Sequence, residues 1–381
     1  MRIGVITHWW CFENYGQLLQ CYAFQRLLKL RGHEPFLIRY CPGSAFGDRM
    51  TLARMFRKLK SIPGFLRSIK SRVDGTKRRI AMRRAIVEPA RDFNGFRQNY
   101  LTMTQDIYRS YAEIQHAKEV DADLYSVGSD VVWGMLPLNN DGRVFFLDFG
   151  RKAAKRIAYS PSFGSKEKSV EYKKFAASLI RKLDAVSVRE TSGVALCSEM
   201  GRHDVVCVMD PVYLLTADEW RSAFNIPEER SGAFGYFLSS KTKLPFDEIR
   251  NASQNRGHDF QVTTVYGDLG LDSNLLVNLT IPEWIRRVGS AKIFFTNSFH
   301  GISMAIILHT PFVAFLKDGG AGMDNRITTI LNRMGLSSRI CDGATNSVER
   351  IINSEIDWRD VDRRLEGEKK ISIDFLCNAG I

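Results

Sequence analysis

The chain has 381 residues, 44% hydrophobic and 25% charged. That is the balance of a soluble globular protein, with more length than one core usually fills, so two domains are expected. No apolar run reaches bilayer length, and the opening MRIGVITHWW lacks a signal-peptide pattern. Seven cysteines are scattered singly with no C-x-x-C pair, which argues against a disulfide framework or a zinc site and for a cytoplasmic protein. The net charge of +12 is local: residues 49–98 hold fifteen Lys and Arg against three acids, leaving the rest near neutral.

In chain order, residues 2–7 read as an apolar strand and 17–31 as a helix. Leu19, Tyr22, Ala23, Leu27 and Leu30 recur there at three- and four-residue steps. Gly32 closes the helix and residues 34–39 return as a strand. The basic segment follows, its Lys and Arg alternating with Leu, Ile, Phe and Met. It has neither the aromatic platforms of single-strand binders nor a DNA-reading motif, so nucleic acid is not the expected partner. It reads either as a helical hairpin lying on an anionic membrane surface or as a solvated helical face. Strands are expected at 123–127, 156–160, 185–188 and 205–208, with helices at 166–182 and 190–200. A second series has strands at 233–238, 260–264, 292–296 and 311–315. Its helices fall near 242–255, 282–288, 302–308 and 323–334, and a terminal helix starts near residue 357. Alternating strands and helices predict parallel, doubly wound sheets. The expected architecture is two Rossmann-like domains facing a cleft, residues 1–209 and 210–355, with 356–381 a helix that packs back on the first domain.

Ligands of open α/β sheets bind beyond the carboxyl ends of the strands. After the first strand, Asn14 and Gly16 permit a tight turn and Gln17 and Gln20 present amides; an ordinary helix cap explains them equally. Gly128, Ser129 and Asp130 follow the strand at 123–127. Asp130 is placed either to deprotonate a hydroxyl or to cap a helix. Arg189 and Glu190 follow the strand at 185–188, the arginine being either a clamp for carboxylate or phosphate or half of an ordinary ion pair. The apolar strand at 292–296 runs into Ser298, His300 and Gly301 at a helix start, where backbone N–H groups favour an anion. His300 reads as a proton donor to that anion or as a structural histidine. The other six histidines show no comparable setting. A glycine-rich loop carries Lys317 and Arg326, either closing over an anionic ligand or lying on the surface. No acidic cluster or histidine pair has metal-ligand spacing, so no metal is expected.

Taken in order, several segments resemble the polysaccharide pyruvyltransferase family: Asn14, Tyr15, Gly16 and Gln17 through Gln20; Gly128 to Trp133; Ser160 to Gly164, including Ser162; Ser187 to Glu190; Asp210 with Pro211; and Ser298 to Gly301. The resemblance implies a GT-B-like fold and phosphoenolpyruvate as co-substrate rather than a bound cofactor. It also implies a sugar or lipid-linked oligosaccharide acceptor that receives a pyruvate ketal in surface polysaccharide synthesis. Arg189 matches a family arginine implicated with the donor, and His300 matches the family's late histidine at a helix start, expected here as the acid, with Asp130 the base toward an acceptor hydroxyl. Ser298, Gly301, Lys317 and Arg326 fall to the donor phosphate. Asn14, Tyr15, Gly16, Gln17, Gln20, Ser129 and Ser162 fall to the acceptor or cleft lining. Ser298 stands where some members have arginine, and Val131 where the family often has glutamine. A nucleotide-sugar glycosyltransferase and an inactive glycan-binding relative remain the alternatives.

Overall fold

The computed structural model describes residues 1–42, 87–238, 244–265, 272–316, 325–343 and 345–381. Most of the basic segment and Lys317 lie outside these described residues.

Two parallel sheets organise the chain. The first has six strands in the order β2-β1-β3-β4-β5-β6: β1 Arg2–Ile6, β2 Glu34–Leu37, β3 Leu124–Val127, β4 Lys155–Ala158, β5 Ala185–Val188 and β6 Val206–Cys207. The second has the order β11-β10-β9-β7-β8: β7 Ala233–Phe237, β8 Phe260–Thr264, β9 Ile293–Thr296, β10 Phe312–Phe315 and β11 Ile340–Cys341. The central strands are buried on both faces, as in RIGVI of β1 after its first residue and IFFT of β9 throughout. Such runs require helices over each face of the sheet. The architecture is therefore two Rossmann-like domains.

Strand order reverses once in each sheet. The chain leaves β1 outward to β2 and returns on the other side as β3, and it leaves β7 to β8 and returns as β9. Connections leaving these neighbouring strands diverge, which opens a crevice at their carboxyl ends. His8 and Asp130 follow β1 and β3; His300 follows β9. The fold thus delivers these residues to its two switch points.

The longer helices are α1 Tyr15–Leu30, α2 Phe93–Tyr100, α3 Val170–Ile180, α4 Thr191–Glu199, α5 Ala217–Phe224, α6 Phe246–Gln254, α7 Ile281–Gly289, α8 Phe299–Ile307, α9 Asn325–Arg333 and α10 Trp358–Asn378. Asn14 caps α1 by accepting from the Gly16 N–H, and Gly32, at φ +78°, turns the chain out of it. Thr280 and Glu283 form a capping box on α7, whose other face buries Ile281, Trp284, Ile285 and Val288.

The domains share a packed seam. Tyr15, at the start of α1, is fully buried and stacks on Trp284 of α7 with ring centroids 5.1 Å apart. Its hydroxyl donates to the Leu279 carbonyl at 2.7 Å. Arg91 donates to Asn278 Oδ1 at 3.0 Å and to the Thr264 carbonyl at 2.8 Å, and Arg97 donates to the Trp9 carbonyl at 2.9 Å. These two arginines of the basic segment are buried structural donors, which corrects their reading as part of a membrane-facing or solvated surface. In α10, the Ser372 hydroxyl accepts from the Met209 N–H at 2.9 Å, and Arg31, just past the end of α1, donates to the Ile381 carbonyl at 3.0 Å. The chain end is thereby fastened to the first domain. Among the described residues, no helix is long and apolar enough to cross a membrane.

Candidate active site

A line of alternating charges joins the two switch points. His8 Nδ1 lies 3.5 Å from Asp130 Oδ2, and Asp130 Oδ1 lies 3.9 Å from Arg189 Nη2. Arg189 Nη1 donates to Asp210 Oδ2 at 2.7 Å, and His300 Nε2 lies 3.3 Å from that same oxygen. Ser129 Oγ also donates to Asp210 Oδ2, at 2.7 Å. The Arg189 and Asp210 side chains are almost wholly removed from solvent. A buried ion pair of this kind survives only when geometry and extra hydrogen bonds offset desolvation.

Each member is held by local structure. Asp130 sits at φ +76°, a left-handed conformation that a non-glycine residue adopts at a cost. Gln20 of α1 donates to Thr7 Oγ1 at 3.1 Å, and Thr7 donates to the Ser129 carbonyl at 2.8 Å, which fixes the turn carrying Ser129 and Asp130. Asp210 accepts the Val212 N–H with its other oxygen, so the carboxylate that caps the following turn also anchors the site. The Phe299 ring lies 4.7 Å below the Arg189 guanidinium carbon and 5.9 Å from that of Arg326. A Cβ at Gly16 would overlap the His300 ring, so only glycine lets α1 meet the imidazole at this distance.

Burial raises the pKa of Asp130, but hydrogen bonding and charge from His8, then Arg189 and His300, outweigh it and hold the carboxyl far below its usual range. Burial likewise opposes ionisation of Asp210, and His300, Arg189 and Ser129 overcome it. Both are anions. Burial and then the neighbouring Arg189 push the Arg326 pKa down to about 10, which leaves it cationic at neutral pH.

One feature of Arg189 points to a ligand. Its Nε and Nη2 atoms are buried and make no hydrogen bond among the described residues, while Nη1 alone serves Asp210. Nε and Nη2 form one edge of the guanidinium, two parallel N–H donors matched to a carboxylate or phosphate. His300 Nε2, without a well-aligned acceptor, lies nearby in the same array.

The structure separates the expected residues. Arg189, His300, Asp130, Ser129 and Arg326 come together, and Gly16 touches them. Ser298 is the N-cap of α8, its hydroxyl oxygen accepting the Gly301 N–H at 3.2 Å. Gly301 faces inward, where a Cβ would crowd Thr296 Oγ1 and the Phe294 ring. The helix starts at Phe299, three residues before its expected start, which puts His300 in its first turn. Tyr15 belongs to the domain seam rather than the cleft lining. Asn14 caps α1, and Gln20 is fully buried behind Thr7. Gln17, partly buried, has its Oε1 unpartnered among the described residues. Ser162 is buried and donates to Glu190 Oε1 at 3.0 Å; that glutamate also accepts the Phe163 N–H, so it is not the partner of Arg189. Asp210, noted in the sequence only as part of an Asp-Pro pair, and His8, set aside with the other histidines, join the array without having been given a role there. His8 was detectable, since it lies two residues beyond a strand end, but nothing around it resembles a helix start or a glycine turn.

Fold and site define a two-domain α/β protein with a buried charged array where its two sheets meet. The polysaccharide pyruvyl transferase family model matches residues 14–318, and the chain belongs to that family of transferases. No curated protein matches the chain at a significant level. Among solved structures, an α-glucosyltransferase in complex with UDP and a 13-mer DNA is similar with a TM-score of 0.47 at 11% identity, covering 99% of this chain and 95% of that one. The glycosyltransferase SnogD from Streptomyces nogalater is similar with a TM-score of 0.42 at 14% identity, covering 100% and 99%. The architecture rests on the two sheets themselves.

Proposed function

We propose that the protein transfers a pyruvyl group from phosphoenolpyruvate to two hydroxyls of a sugar, forming a ketal during surface polysaccharide synthesis. The observation that carries this reading is the open Nε–Nη2 edge of a buried arginine beside an imidazole from the other domain. Phosphoenolpyruvate bears a carboxylate and a phosphate. A preorganised two-donor edge suits either group, and Arg326 adds a second fixed cation.

In this reading His300 protonates the methylene carbon of the donor, so that cationic character develops at the carbon carrying the phosphate. Asp210, 3.3 Å from Nε2, orients the imidazole. A carboxylate held as low as Asp130 is a weak proton acceptor, so Asp130 is better suited to fixing Arg189 and His8 than to the base role first expected of it. The family match supports pyruvyl transfer, and the open arginine edge supports an anionic donor.

The test is phosphate release from phosphoenolpyruvate with hexosides and lipid-linked sugars as acceptors, with nucleotide sugars offered as rival donors. Release with phosphoenolpyruvate alone among the donors is expected, falling ~100-fold or more in His300→Ala. Turnover of a nucleotide sugar with phosphoenolpyruvate inert would overturn the reading.

A further inference from the structure

We propose that His8 is the second acid–base group of this reaction, taking the proton from the sugar hydroxyl while His300 serves the donor. The inference rests on the phosphoenolpyruvate reading above and assigns a group that reading lacks. Arg189, the anion-binding cation, has an imidazole–carboxylate pair at either end: His8 with Asp130, and His300 with Asp210. The first pair stands at the switch point between β1 and β3, the second beyond β9 in the opposite sheet. One imidazole therefore comes from each domain.

The His8 setting suits a proton acceptor. Nδ1 faces Asp130, and Nε2 makes no hydrogen bond among the described residues. The side chain retains 20% exposure where Asp130 retains 10% and Arg189 2%. The ring is braced edge-on by Trp10 at 5.0 Å and Phe145 at 6.0 Å between centroids. An imidazole oriented by a carboxylate through one nitrogen and open at the other is the arrangement general base catalysis requires. Asp130, nearer the buried guanidinium, is the orienting partner.

The steps balance. As the first hydroxyl oxygen bonds to the central carbon of phosphoenolpyruvate, its proton passes to His8 Nε2, and protonated His300 delivers one to the methylene carbon, which becomes a methyl group. The carbon–oxygen bond to phosphate then breaks, and the leaving phosphate takes the proton held by His8. The second hydroxyl oxygen bonds to the same carbon and returns a proton to His300. Both imidazoles are reset, and the products are the ketal and phosphate.

The experiment compares His8→Ala and His8→Gln with the wild type in phosphoenolpyruvate binding by calorimetry and in phosphate release with methyl hexopyranosides and lipid-linked sugars. Both variants are expected to keep donor affinity within about threefold while turnover falls ~100-fold or more. Added imidazole should restore turnover to His8→Ala, where the ring leaves space, and not to His8→Gln. Wild-type turnover in either variant overturns the proposal. So does a loss matched by weaker donor binding, or one that imidazole does not restore, since either marks a packing role. A wild type that neither binds phosphoenolpyruvate nor releases phosphate refutes the donor reading itself, and the role of His8 falls with it.

Discussion

Arg189 commits one nitrogen to Asp210, while its Nε and Nη2 make no hydrogen bond among the described residues, Nη2 lying 3.9 Å from Asp130 Oδ1. Gly16 gives the sharpest residue-level test, because its only role visible in the site is to leave room for the His300 ring. Gly16→Ala is expected to displace the imidazole from Asp210, with an overpacking cost of about 1–3 kcal/mol in a denaturant melt. Turnover should fall further than the stability loss explains, and an unchanged rate would show that the His300 position is not critical. Arg189 and His300 were legible in the sequence because each follows an apolar strand at a helix start. Asp210 was visible only as part of an Asp-Pro pair, the signature of a turn cap. It is one, through Val212, and nothing in the pattern signals that its second oxygen anchors two cationic groups.

Helix α8 shows how one cap decides a reading. Ser298 was expected to hold phosphate, and its hydroxyl oxygen is seen to accept the Gly301 N–H. Ser298→Ala should therefore cost about 1 kcal/mol of stability, as other lost serine caps do, and leave the KM for phosphoenolpyruvate nearly unchanged. A KM raised ~10-fold with stability intact would restore the donor role. The expected helix began three residues late because Phe299, His300 and Gly301 form a weak helical start by propensity. The Ser298 cap and the packing of Phe299 beneath Arg189 override that preference. Strands were more legible than helix ends: β5 and β8 occupy the expected residues.

Across the whole molecule, both the seam between domains and the charged array join segments far apart in the chain. Tyr15→Ala removes a fully buried ring stacked on Trp284 and should cost about 3–5 kcal/mol, read by thermal or urea unfolding. A loss under ~1 kcal/mol would mean the seam contributes little to the fold. The array also predicts an acid limb of stability. Asp130 and Asp210 have folded pKa values below the ordinary 3.8. Their contribution is complete above that value and declines as pH falls further toward the folded values. Asp210→Asn leaves Arg189 without its closest partner, so it should be destabilised by about 3–5 kcal/mol at neutral pH. Its deficit should shrink as the wild type is acidified below pH ~4. A deficit independent of pH would mean the ion pair is not its source. This level was hardest to read from sequence: two-domain organisation follows from the alternation of strands and helices, but Tyr15, Arg91 and Arg97 join segments far apart in the chain, and no local spacing reports such contacts.

The central claim is that a buried arginine edge flanked by imidazoles from both domains holds an anionic enol phosphate. Calorimetric titration of phosphoenolpyruvate into the wild type and Arg189→Lys tests it most directly. Lysine keeps the charge but loses the two-donor edge, so saturable binding by the wild type and weakening of ~10-fold or more in the variant are expected. Equal affinity in both proteins, or no binding by the wild type, would contradict it.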